Sequence, residues 1–155
     1  MTPPPDGRLL LVSSSGGVLL DLLALEPFWS RHDHLWAVVR AADTESALRG
    51  RDVRWLEEKS ISRPWQLLHG VPESLRILRD EGATAVLSSG TAVAVPFFVS
   101  ARLLGIPSLW ISTFNLIRTP GLAARVCSRL ATTVLVQRES MRAAHPRAIL
   151  VGELY

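Results

Sequence analysis

Two short segments of small residues, Ser13-Ser14-Ser15-Gly16-Gly17 and Ser88-Ser89-Gly90-Thr91, each close an apolar run and open a stretch with helical spacing. A strand that passes through a glycine turn into a helix is the repeating unit of layered α/β proteins. The turn also has chemistry of its own. The first N–H groups of a helix lack intrahelical acceptors and carry partial positive charge, and glycine removes the Cβ that would hold a phosphate away. The residues leave two readings open at each segment: a turn that cradles an anionic ligand, or a tight strand-to-helix turn with no ligand.

The rest of the chain repeats the unit. Arg8-Leu9-Leu10-Leu11-Val12-Ser13 is a continuous apolar run, as expected of a strand covered on both faces. Leu19, Leu20, Leu22, Leu23 and Leu25 follow with helical spacing, and Pro27 lies near the end of that stretch. His34 to Arg40 predicts a second strand, Ala42 to Ser46 a polar loop, and Asp52 to Leu56 a third strand. Trp65 to Arg79 predicts a helix split at Pro72. Ala83 to Ser88 predicts a strand, Thr91 to Leu104 a helix, and Ser108 to Ser112 a strand. A helix after Pro120 leads to strands at Thr133 to Gln137 and Ala148 to Val151. The alternation predicts a Rossmann-like parallel sheet with helices on both faces and ligands beyond the carboxyl ends of the strands. Residues 1–7 read as a disordered lead-in, and residues 8–155 as one domain.

Composition narrows the function classes. The net charge of +3 arises from 17 basic and 14 acidic residues, too mild a balance for a chain that coats nucleic acid. Cys127 is the single cysteine, so there is no intrachain disulfide and no cysteine-built zinc site. His32, His34, His69 and His145 show no metal-ligand spacing, and no metal is expected. The apolar region from Thr91 to Ile117 is interrupted by Pro96, Arg102, Gly105 and Pro107, short of the roughly 20 apolar residues that cross a bilayer. Gly16-Gly17 followed by Val18 and Leu19 lacks the three-glycine dinucleotide fingerprint, and no lysine follows either turn as in a Walker loop.

Further positions are candidates on chemistry alone. Asp21 lies one helical turn beyond the first segment and reads as a base if it faces a cleft or, more simply, as a surface carboxylate. Asp43 and Glu45 follow the second strand on the ligand edge, where a carboxylate can accept from a ligand hydroxyl. At 100° per residue, Arg118, Arg125 and Arg129 fall within about 40° of one another with Leu122 beside them. Such a stripe suits either a solvated face or anionic lipid headgroups. Trp29 and Trp65, near predicted helix ends, suit either core or interface.

The ordered set Val12 to Gly17 with Asp21-Leu22-Leu23, Ser88 to Phe98, Leu103 to Pro107, Arg118 to Leu122, Val134 to Gln137 and His145 to Gly152 resembles the Alg14/PssD/EpsE-type glycosyltransferase subunits. That family is similar to the N-terminal half of MurG-type GT-B enzymes. The resemblance implies a single N-terminal-type GT-B half that binds the acceptor and tethers to the membrane, with an Alg13/PssE-like donor-binding subunit as its partner. The chain's end at Tyr155, soon after a predicted strand, accords with half an enzyme. The implied acceptor is a polyprenyl-diphosphate-linked sugar at the cytoplasmic face of the cell membrane. No cofactor is implied, since the partner holds the nucleotide sugar. The diphosphate would lie on Ser15, Gly16, Gly17, Ser89, Gly90 and Thr91, with Asp21, Asp43 and Ser112 as further acceptor contacts. Arg118, Leu122, Arg125 and Arg129 would meet the membrane. Two positions depart from the family's pattern: Val18 stands where a histidine commonly follows the double glycine, and Ser112 where many members have glutamate. Neither valine nor an ordinary serine serves as a general base near neutral pH, so the catalytic base is unassigned.

Overall fold

The computed structural model describes residues 7–90, 92–112, 122–143 and 147–150. Seven parallel strands form one sheet: β1 (Arg8–Ser13), β2 (Asp33–Val39), β3 (Val53–Leu56), β4 (Ala83–Ser88), β5 (Ser108–Ser112), β6 (Thr133–Val136) and β7 (Ile149–Leu150). Their order is β3-β2-β1-β4-β5-β6-β7. The order reverses between β1 and β4, which pair in parallel from Leu9 against Ala85 to Val12 against Ser88. In open α/β sheets such a reversal is where the loops following the two strands diverge and where ligands commonly bind.

The helices are α1 (Gly17–Ala24), α2 (Glu26–Trp29), α3 (Ala42–Ala47), α4 (Pro64–Asp80), α5 (Ala94–Leu104) and α6 (Leu122–Leu130). The apolar run of β1 is continuous because both of its faces are covered. Leu10 and Val12 join the core beneath α4, α5 and α6, while Leu9 and Leu11 join the one beneath α1 and α2. Leu9, Leu10, Leu11 and Val12 are completely buried, each stabilising the fold by about 2 kcal/mol relative to exposure.

Two expectations are corrected and one open alternative is decided. Residues 42–46 belong to α3 rather than a loop. Thr44 organises its start: Oγ1 accepts from the Ala41 N–H at 2.9 Å and donates to the Val39 carbonyl at 2.8 Å. Asp43 and Glu45 lie in the first turn, where carboxylates favour the helix dipole. Pro72 does not split α4, which continues through it. Pro72 is exposed, and so is Leu68, whose carbonyl loses its helical donor to the proline. The opposite side is held to α5 by Ser74, whose Oγ lies 2.6 Å from Ser100 Oγ and donates at 3.0 Å to the Pro96 carbonyl. Trp29 is a core residue rather than an interface residue: its indole donates to the Leu22 carbonyl at 2.7 Å and meets Trp36 edge-on.

At the amino ends of the strands the sheet is closed by charge. Glu81, just before β4, receives Arg8 at 2.9 Å and Arg54 at 2.6 Å, and Asp52 receives both arginines at 2.7 Å. The hydrogen bonds that Arg54 donates to Glu81 and Asp52 raise its pKa above its already high ordinary value.

Candidate functional site at the carboxyl edge of the sheet

The first turn leaves β1 at Ser13, and Gly16 caps α1 with φ 83° and ψ −145°, a conformation that favours glycine. Its carbonyl accepts from the Leu19 N–H at 3.1 Å. Ser15, Gly16 and Gly17 are exposed, and a Cβ built on Gly16 would meet no atom within 4 Å. The Gly16 N–H is already engaged: it donates to Asp43 Oδ2 at 2.9 Å. The first-turn N–H groups of Gly17 and Val18 have no acceptor earlier in the helix.

The second turn is built differently. Ser88, Ser89 and Gly90 are buried. The Gly90 N–H donates to Ser88 Oγ at 3.1 Å. Gly90 has φ 93°, and a Cβ there would fall 2.5 Å from Trp110 Nε1 and 3.2 Å from Cε2. The contact follows from strand register, because Ser88 pairs with Trp110 in the β4–β5 ladder and Gly90 lies only two residues beyond. Ser89 Oγ joins the turns by donating to the Val18 carbonyl at 3.1 Å.

The remaining candidates divide in the same geometry. Asp43 reaches the first turn from α3. Asp21 is buried at 2% relative exposure, so it is not the surface carboxylate its sequence position suggested. Ser112 is buried at the carboxyl end of β5. Thr91 and Arg118 lie outside the described residues. Leu122, Arg125 and Arg129 are exposed along α6, and Trp65 and Leu68, one turn apart at the start of α4, are exposed as well. Sequence reasoning did not find the packing role of Trp110 or the acceptor role of Ser88. The only available signal was the strand register, which one sequence does not reveal.

Other features bear less directly on this edge. Burial pushes the Cys127 thiol up to about 12, which leaves it protonated and unreactive at neutral pH. Among the described residues, no three His, Cys, Asp or Glu side chains come together to hold a metal, and no helix is long and apolar enough to cross a membrane. A cleft bordered by Arg102, Ile106 and Leu130 lies at the far ends of α5 and α6, away from the candidate turns.

Together these elements define the class: a Rossmann-like α/β fold of the kind found in GT-B half-domains. Among solved structures, the chain superimposes on MurG from Acinetobacter baumannii with a TM-score of 0.77 at 19% identity, covering 95% of this chain and 45% of that one. It also superimposes on the UDP-GlcNAc 2-epimerase from Methanocaldococcus jannaschii with a TM-score of 0.69 at 12% identity, covering 94% of this chain and 45% of that one. At these identities the likeness is one of fold. In sequence, the chain is 34% identical over 97 residues to the UDP-N-acetylglucosamine--N-acetylmuramyl-(pentapeptide) pyrophosphoryl-undecaprenol N-acetylglucosamine transferase of Clostridium botulinum. It is likewise 34% identical over 89 residues to the transferase of the same description from Geobacillus kaustophilus. The first match takes in 60% of this chain and 25% of the relative, the second 57% and 24%. The matched region is thus about a quarter of these relatives' length. No family model matches the chain.

Proposed function

We propose that this chain is the acceptor-binding and membrane-tethering subunit of a heteromeric GT-B glycosyltransferase, which moves a sugar from a nucleotide sugar to a polyprenyl-diphosphate-linked saccharide. A separate Alg13/PssE-like chain supplies the donor-binding half, and the pair works on the cytoplasmic face of the cell membrane. The observation that carries the reading is the meeting of two small-residue turns at the strand-order reversal, in a chain 34% identical over 97 residues to a transferase described as acting on a pyrophosphoryl-undecaprenol substrate. Gly17 and Val18 N–H groups with the Ser15 hydroxyl, and the second turn through Thr91, face the diphosphate in this reading. Ser112 and Asp43 contact the acceptor sugar, whose hydroxyl attacks the anomeric carbon of the donor and loses its proton to a base. Leu122, Arg125 and Arg129 on α6, with Arg118, rest on anionic headgroups, and the exposed Trp65 and Leu68 supply apolar contact.

A second reading, a non-catalytic partner that anchors a catalytic subunit without binding acceptor, is favoured by the internal capture of the Gly16 and Gly90 N–H groups by Asp43 and Ser88. One experiment separates the two. The chain is co-expressed with its candidate donor-binding partner, and labelled-sugar transfer to lipid-diphosphate acceptors is measured for wild type and for Gly17→Val. Gly17 is exposed at the first turn, so the substitution acts on the ligand side. Transfer that falls by about 100-fold or more, with the complex intact, supports acceptor binding here. Unchanged transfer overturns it in favour of the anchoring role.

A further inference from the structure

The carboxyl end of the edge strand β3 carries a cluster of side chains that neither glycine turn uses. Trp55 of β3 pairs with Val38 of β2, and the Arg40 N–H donates to the Leu56 carbonyl at 3.2 Å, so the residue that follows β2 stays beside β3. That register lays the Arg40 guanidinium over the Trp55 ring, with Cζ 5.3 Å from the ring centroid. Thr44 turns the chain into α3, which returns Glu45 Oε1 to 3.5 Å from Arg40 Nε. Arg40 is thus held between a ring and a carboxylate while its side chain remains 62% exposed. Cation–π contact and ion pairing together orient its planar donors. Trp55 is half-buried, yet its indole N–H is not buried and has no acceptor among the described residues.

Charge narrows what this cluster can hold. Asp43, Glu57 and Glu58 are exposed on the same edge and disfavour an anion, while Arg40 at the centre disfavours a cation. A neutral polyhydroxyl ligand meets neither obstacle, because each hydroxyl can accept from Arg40 or the indole and donate to Glu45. The Trp55 ring offers apolar surface to the C–H face of such a ligand. We propose that Arg40, Glu45 and Trp55 form a subsite for a neutral sugar residue, distinct from the turns that face the diphosphate. The proposal rests on the acceptor-binding reading above for the source of that sugar, a saccharide unit beyond the one joined to the diphosphate. Asp43, two residues before Glu45 in α3, holds Gly16 and so fixes the subsite beside the first turn. The chain then favours acceptors that carry more than one sugar.

The test follows the assigned indole N–H resonance of Trp55 in the full chain, labelled with nitrogen-15, as four probes are added: cellobiose, glucose, glucuronate and protonated glucosamine. Cellobiose and glucose are expected to move that resonance saturably, with dissociation constants on the order of millimolar, and to leave the other indoles in place. Glucuronate and glucosamine, which share the ring but carry a charge, are expected to bind about fivefold more weakly than glucose. Arg40→Ala is expected to weaken cellobiose about fivefold or more. Glu45→Gln keeps an oxygen acceptor and removes the charge, so the discrimination against glucuronate should shrink. A Trp55 resonance unmoved by about 50 mM cellobiose overturns the proposal, and so does one that moves equally in Arg40→Ala. Geranyl diphosphate is titrated into the same samples and read at the Gly17 and Val18 amides. Shifts there with an unmoved Trp55 overturn the subsite alone, and no shift at either place overturns the acceptor-binding reading with it. A responding Trp55 with unmoved amides supports the subsite and overturns the diphosphate contacts.

Discussion

The two turns that read alike in sequence are opposite in physical character. The first is open: Gly16 has free space where a Cβ would go, its neighbours are exposed, and its N–H is held by a solvent-exposed carboxylate from another element. The second is sealed: Ser88, Ser89 and Gly90 are buried, and Gly90 is pressed against the Trp110 indole. Both glycines have positive φ, yet only one of them also answers a steric demand. A glycine turn is therefore no uniform signal. At the first turn glycine serves backbone conformation and access, and at the second it serves packing.

Substitutions weigh that difference directly. Gly90→Ala is expected to have the largest effect, about 3 kcal/mol of lost stability, because a Cβ 2.5 Å from a buried indole nitrogen adds overpacking to backbone strain. Urea unfolding measures it, and a loss below about 1 kcal/mol would mean that Trp110 yields freely and the turn is not sealed. Ser88→Ala comes next at about 1–2 kcal/mol, since it strips the buried Gly90 N–H of its acceptor. An unchanged midpoint would show that another group or water takes over. Gly16→Ala should cost least, about 1–2 kcal/mol, because only its backbone conformation, φ 83° and ψ −145°, opposes it. If its cost equals that of Gly90→Ala, the contrast between an open and a sealed turn fails.

The opposite edge of the sheet shows what permanent closure looks like in this molecule. There Arg8, Arg54, Asp52 and Glu81 form a paired network, with Glu81 only 17% exposed at its side chain. Removing one member of a partly buried network leaves its partners uncompensated. At the carboxyl edge the described turns rely instead on hydroxyls, backbone donors and one exposed carboxylate.

Much of the architecture was legible because burial on both faces writes continuous apolar runs such as Leu9-Leu10-Leu11-Val12, and turn residues punctuate them. The errors have specific causes. The polarity of residues 42–46 reads as loop, but Thr44 reaching its own backbone and two first-turn carboxylates make a helix there. Pro72 reads as a break, but its position on the wet side of α4 lets the helix continue. Asp21 reads as a surface residue on helical spacing alone, whereas its burial is set by what the fold lays over it.

Local chemistry along the chain thus determined the element order, the parallel sheet and the two glycine turns, since each depends on residues close in sequence. Only the tertiary structure decided which turn is open, that Trp110 underlies Gly90, and that Asp43 holds Gly16. Those contacts join residues far apart in the chain, and they arise from which strands lie side by side and in what register. No periodicity within a single segment encodes either.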